Sequence, residues 1–319
     1  MKYVGIQTQQ ARNNIKSTIL LISFPILVLG LLYIGCFALH YFSETPGYAK
    51  SIDTVNMMFF SAMPLVVIGV LIWFLIAFYS NVKIIDYATG ATSLSRMEDM
   101  RIYNLVENLC ISVGMQMPKI HVIEDSAMNA YASGVSKSSY TVTLTRGLIN
   151  RLNDEELEGV IAHELMHIRN NDVRVLIISI VFVGIFSLIS QIAFRTFLYS
   201  GGRTSNRGGN KKGGGTGLIM LLILILSAVG YFISIILRFT ISRKREYMAD
   251  AGAAYMTKNP KALANALRKI SGRSCLTKQH DEAVAQLFIE HDPEKKSFIG
   301  SIFATHPPID KRIAILEQF

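Results

Sequence analysis

Four stretches of the chain, Thr18–Leu39, Met57–Phe78, Val175–Phe194 and Leu218–Leu237, are almost free of charge. Each has roughly the 20 residues a helix needs to cross the hydrocarbon core of a bilayer. Pro64 and the glycines and serines inside them do not argue against spanning, because membrane helices tolerate such breaks. The first stretch is too long for the apolar region of a signal peptide, and no small-residue cleavage site follows Cys36-Phe37-Ala38-Leu39. It reads as an anchor.

The polar remainder follows other periods. Leu94–Cys110 is expected as a helix, interrupted by Gly114 and Pro118. Lys119–Glu124 and Tyr140–Thr145 are expected as strands, with Asn129–Gly134 a short edge strand or loop between them. A helix resumes after Leu152, capped by Asn153 with Glu156 three residues on, and carries Leu157, Val160 and Ile161 on its apolar face. Asn170-Asn171-Asp172 ends that helix or bends it into the next span. Downstream, Ile241–Met256, Lys261–Ile270, Glu282–Phe288 and Ile309–Glu317 are expected as helices.

The organisation this predicts is an α+β fold in four parts. Residues 1–80 hold two N-terminal transmembrane helices, about 18–39 and 57–78. Residues 81–174 begin a polar domain, 175–240 insert a transmembrane hairpin (about 175–194 and 218–237), and 241–319 complete the domain. The hairpin loop, 201–215, has seven glycines in fifteen residues and is expected to be mobile.

Charge refines the topology. Lys2, Arg12 and Lys16 precede the first span, which puts the N-terminus in the cytoplasm and Leu39–Asn56 outside. Arg195, Arg203, Arg207, Lys211 and Lys212 make the hairpin loop basic and argue for a cytoplasmic loop. Keeping both halves of the polar domain in one compartment argues for the opposite. The second requirement takes precedence here, and a hairpin that does not fully cross stays open. Hydrophobic residues make up 50% of the chain, charged residues 17%, and mean hydropathy is +0.35, all of which fit a bilayer partner. The net charge of +9 is not organised into a recognition module, so no nucleic-acid partner is expected. Cys36, Cys110 and Cys275 are scattered and odd in number, as free thiols in a reducing compartment would be.

The chemistry centres on His163-Glu164-Leu165-Met166-His167. Residues four apart share a helix face, so both imidazoles can hold one metal, and Glu164 can take a proton from water on that metal. A bland alternative is a capped helix with two histidines packed against a carboxylate. Catalytic zinc takes three protein ligands and keeps one position for water. A third ligand is sought in Ser242-Arg243-Lys244-Arg245-Glu246-Tyr247-Met248-Ala249-Asp250, where Glu246 is the best candidate. The residues alone do not select it over Asp250, and the segment also suits a charged helix at a membrane surface. His121, His280 and His291 have no assignable chemistry and read as surface or packing residues.

Across essentially its whole length the chain resembles the HtpX family of bacterial membrane heat-shock metalloproteases. It shows two N-terminal spans, His163–His167, a hairpin, then Arg243–Asp250; a wider group includes the eukaryotic CaaX prenyl-protein endopeptidases. The resemblance implies a zincin-like cytoplasmic domain with one Zn2+ per subunit on His163, His167 and Glu246, and Glu164 as catalytic base. It implies that Asp250 orients a zinc-binding imidazole and that Arg243 supports the site. Asn129-Ala130-Tyr131-Ala132-Ser133-Gly134 resembles the family's Asn-Ala-Phe-Ala-Thr-Gly segment, with departures at Tyr131 and Ser133. Asn129, Ala130, Tyr131 and Ala132 would then bind substrate by strand addition. Thr305-His306-Pro307-Pro308 matches the family's C-terminal His-Pro signature, where His306 either stabilises the oxyanion or fixes the last helix.

The implied function is a multi-pass zinc endopeptidase of the bacterial cytoplasmic (inner) membrane, with N-terminus and catalytic domain in the cytoplasm. It would cleave misfolded or damaged membrane proteins and unfolded polypeptides under stress, with homo-oligomerisation left open. A CaaX-type processing protease is the alternative enzyme, although its relatives lead one to expect more spans. A membrane scaffold or chaperone is the non-enzyme alternative, less suited to a metal site with an open position. A transporter is disfavoured because the spans hold no ionisable pair.

Overall fold

The computed structural model describes residues 6–42, 51–201, 221–232, 244–271 and 307–319. The described chain is mostly helical with one small sheet. It divides into two compact units: Met1–Ser17, Phe78–Ile177 and Phe239–Phe319 form one, Thr18–Ala77 and Ile178–Arg238 the other.

The apolar unit is built from the long helices α1 (Ile6–Phe42), α2 (Ile52–Thr89) and α6 (Asp172–Gly201), with α7 described over Leu221–Phe232. Among the described residues two helices are long and apolar enough to cross a membrane, Ala11–Tyr41 within α1 and Ile52–Thr89. Their side chains point outward to an extent water would not favour: Ile19, Ile22, Ile26, Leu65, Leu71 and Leu75 are all exposed. Phe24 meets Phe186 edge-on at 5.6 Å between ring centroids, Trp73 Nε1–H donates to the Val181 carbonyl, and Ser190 donates to Ser227 at 2.9 Å. Cys36, in this unit, and Cys110, in the other, are buried free thiols, while Cys275 lies outside the described residues.

The polar unit carries the sheet. Its strands are β1 (Thr92–Ser93), β2 (Lys119–Ile123), β3 (Ala130–Ser133) and β4 (Thr141–Thr145), in the order β1-β2-β4-β3. β2 runs parallel to β4, while β1 and β3 pair antiparallel to β2 and β4, and Ala130 lies opposite Leu144. The expected strand at Asn129–Gly134 therefore exists and forms one edge of the sheet. Gly134 ends it with φ of 102°, and a Cβ there would sit 2.4 Å from the Ser139 carbonyl oxygen, so the β3–β4 turn needs glycine.

Two expected boundaries moved. α2 continues eleven residues beyond Phe78 to Thr89, because nothing breaks a helix until Gly90 takes φ of 71°. The helix expected over Leu94–Cys110 begins only at Met100 and forms α3, Met100–Ser112. Asp99 caps it by accepting from the Ile102 amide, and Ser95–Glu98 form a turn instead. His121 is a packing residue after all: buried, with Nδ1 3.0 Å from Asp86 Oδ1 on the extension of α2.

A short helix α4 (Arg146–Arg151) leads into α5 (Asp154–Arg169), which is central to the unit. Its predicted start is confirmed atom by atom. Asn153 Oδ1 accepts from the Glu156 amide (2.9 Å), and Glu156 Oε2 accepts from the Asn153 amide (3.1 Å). Against α5 pack β3, α3, α8 (Lys244–Thr257) and α9 (Pro260–Ile270), and α10 (Ile309–Leu316) closes on α8 and α9. The helix expected at Glu282–Phe288 lies outside the described residues.

Candidate metal centre

α5 presents His163, Glu164 and His167 from a stretch in which Val160–Met166 is wholly buried. Helix α8 crosses it closely. A Cβ on Gly252 would lie 2.4 Å from Met166 Cε, so glycine lets the two backbones approach, with Glu246 and Asp250 on the same helix. Nε2 of His167 lies 3.2 Å from Nε2 of His163, and Glu246 carboxylate oxygens lie 3.6 Å from His163 Nε2 and 3.5 Å from His167 Nε2.

These atoms suit a metal. One ligand atom from each of His163, His167 and Glu246 falls within 4.8 Å of the others. Two imidazole nitrogens bonded tetrahedrally to zinc at about 2.0–2.1 Å would stand about 3.3 Å apart, close to the separation here. Glu164, Glu246 and Asp250 are buried, and all three act on the charge of one buried guanidinium, Arg312, so the centre is rich in buried carboxylates that a divalent cation would help to neutralise. His163 and Glu246 are almost fully enclosed, while the His167 side chain keeps 13% exposure and marks the accessible side.

Each imidazole is aimed by a carboxylate. His163 Nδ1–H donates to Asp250 Oδ1 (3.0 Å) and His167 Nδ1–H to Asp172 Oδ2 (3.1 Å), which turns both Nε2 atoms inward. Asp250 thus stands where the resemblance placed it. Asp172 was anticipated only as a helix end, and nothing in the local pattern marked it as the partner of His167.

Arg312 on α10 was not anticipated at all. Its Nε and Nη2 hold the two Asp250 oxygens at 2.9 and 2.7 Å. Nη2 is also 3.5 Å from Nδ1 and 3.3 Å from Nε2 of His163. A group nearly equidistant from both ring nitrogens lies over the imidazole face, which leaves the Nε2 lone pair directed at the metal position. Burial and the Arg312 charge favour neutral His163, but hydrogen bonds to Asp250 and Glu246 prevail and hold its pKa up, at about 9. Burial raises the Asp250 pKa, and the charges of Arg312 and His163 more than reverse this, to about 2.

Asn129 immediately precedes the edge strand and Ala130, Tyr131 and Ala132 lie on it; all four residues are buried. The Tyr131 hydroxyl pairs with Thr89 Oγ1 at 2.9 Å, so this side chain is committed to the interior. Arg243 and His306 lie outside the described residues.

Residues 96–319 match peptidase family M48. The chain belongs to that family. A Protease HtpX homolog of Bacteroides fragilis is 57% identical over 325 residues, covering 100% of both chains. A Protease HtpX homolog of Dictyoglomus turgidum is 39% identical over 258 residues, covering 79% of this chain and 82% of its own. The crystal structure of S. mikatae Ste24p aligns over 96% of this chain and 67% of that one, with 22% identity and a TM-score of 0.46. The chain is thus an HtpX-like metalloprotease of the membrane.

Proposed function

We propose that this chain is a zinc-dependent endopeptidase that cleaves misfolded or damaged membrane proteins at the cytoplasmic face of the bacterial inner membrane. The observation that carries the chemical part is the convergence of His163, His167 and Glu246, with buried Glu164 next to His163 in the chain, in a family of peptidases. The zincin-like character of the domain, four spans including the 175–240 hairpin, and the cytoplasmic orientation belong to the same reading. The first rests on the family, the second on the four apolar stretches, and the third on the charges before the first span and on keeping both site segments in one compartment.

A zinc ion on the three ligands would acidify a water molecule and polarise the scissile carbonyl. Glu164 accepts the proton of the attacking water and passes it to the departing amine. Asp250 and Asp172 hold the two imidazoles in the tautomer that offers Nε2. An extended substrate would add to β3 along Asn129–Ala132; these residues are buried backbone and all, so the edge has to be uncovered before a substrate can pair with it. No protein nucleophile is required.

The test is casein hydrolysis in detergent alongside zinc content, for wild type and Glu164→Gln. Wild type should carry one zinc and cleave, lose cleavage to a chelator and regain it with zinc. Glu164→Gln should retain zinc and lose about 100- to 10,000-fold in turnover, the usual worth of a general acid–base group. Wild-type turnover by a clean zinc-loaded Glu164→Gln preparation would overturn the assignment of the base. A wild type that takes up no zinc would overturn the site, and a zinc-loaded wild type without cleavage would favour a scaffold.

A further inference from the structure

The second imidazole, His167, rests on Asp172, and Asp172 is itself held by the N-terminal helix. Asn13 of α1 is completely buried, and its Nδ2 donates to Asp172 Oδ1 and to the Asn170 carbonyl, both at 2.7 Å. Both partners are acceptors, so chemistry alone fixes which end of the amide faces them. The next residue repeats the grip: Asn171 Nδ2 donates to Asn14 Oδ1 at 3.1 Å. Asn171 has φ of 58°, the left-handed conformation in which α5 stops and α6 begins. The junction is thus an irregular corner, held from outside by two consecutive asparagines.

That corner determines where Asp172 points. One of its oxygens accepts from Asn13 and the other faces His167 Nδ1, while Arg245 Nη1 lies 3.8 Å from Oδ1 and donates to the Asp172 carbonyl at 3.3 Å. A carboxylate fixed at both oxygens cannot rotate away from the imidazole it orients. Removing the Asn13 amide takes from Oδ1 its short hydrogen bond and leaves, among the described residues, the longer Arg245 contact and the charge of Lys16, and the His167 ring loses a defined direction for Nε2.

We propose that Asn13 is a positioning residue for the metal: acting through Asp172, it fixes His167, so the first turns of the N-terminal helix are part of the metal centre. The inference rests on the zinc reading of His163, His167 and Glu246. Nothing in the spacing of Asn13 signals it, since the two residues are 159 positions apart from Asn13 to Asp172.

The experiment uses full-length protein in detergent and two readouts. One is the zinc dissociation constant by competition with a chromogenic chelator, the other the visible absorption of the cobalt-substituted protein. Asn13→Leu fills similar volume and favours helix, and Asn13→Ala serves as a second variant. Both should bind zinc about 10-fold more weakly, at the lower end of what loss of an outer hydrogen-bond partner costs a metal site. Both should also alter the cobalt spectrum, which a change in global stability alone would not do. In an Asp172→Ala background, Asn13→Leu should cause no further loss, because the path it acts through is gone. Wild-type affinity in both Asn13 variants, or an equal loss in the Asp172→Ala background, would overturn the proposal while leaving the peptidase reading intact. Absence of zinc from wild type would overturn both.

Discussion

At the scale of residues, the centre is a set of buried charges that are tolerable only together. Asp250 accepts from His163 and from two nitrogens of Arg312, and each group is almost wholly removed from water. Deleting one member strands the others, so Arg312→Met should lower stability by about 3–5 kcal/mol, the cost of breaking a buried ion pair from one side. Asp250→Asn in the same chain should recover part of the loss. Thermal unfolding in detergent measures both, and an unchanged melting temperature for Arg312→Met would remove the arginine from this account. The candidate residues His163, Glu164 and His167 could be picked out in the sequence because their pattern depends on local helical spacing. Glu246 required a family resemblance, since spacing did not separate it from Asp250. Arg312 left one usable trace: it sits three residues after Ile309 and beside Ile313, on the face that the Ile309, Ile313 and Leu316 spacing turns inward. A charged residue in that position has to find a buried partner.

At the scale of elements, the capped start of α5 was legible, whereas the start of α3 at Met100 was not, although Asp99 caps it locally. Asn153 and Glu156 cap α5 as their spacing foretold, and Asn259 caps α9 by accepting from the Ala262 amide. The α5–α6 corner at Asn170–Asp172 takes its meaning from α1, and no local window contains that information. The apolar run of α2 gave a length for a membrane crossing but no reason to stop there, and the helix carries on to Gly90. Geometry at the centre depends on how closely α8 approaches α5. Gly252→Ala crowds the buried Met166 side chain from Cγ to Cε and should cost about 1 kcal/mol, the lower end of overpacking. Gly252→Val adds a branch that cannot be cleared so easily. It should cost about 1–3 kcal/mol, typical of overpacking, and reduce zinc retention by displacing Glu246. Equal zinc retention by the alanine and valine variants would show that the close approach does not set the ligand geometry.

At the scale of the whole molecule, one centre is assembled from four distant stretches: Asn13, the His163–Asp172 segment, Glu246–Asp250 and Arg312. The helix that supplies Asn13 continues without interruption into the apolar stretch from Thr18, so one element carries both Asn13 and a candidate membrane span. Division of the chain into polar and apolar parts was legible from hydropathy alone. The inclusion of residues before the first span in the polar unit was not, because it is decided by hydrogen bonds over more than 150 positions. Crystals of the full-length protein grown with zinc, with data collected on both sides of the zinc absorption edge, locate the metal. One anomalous peak per chain is expected, about 2.0–2.2 Å from His163 Nε2, His167 Nε2 and a Glu246 oxygen, with Asp172 and Asp250 behind the imidazoles. A peak ligated by Asp250 or Asp172 in place of Glu246, or closed by a fourth protein side chain, would contradict this ligand set.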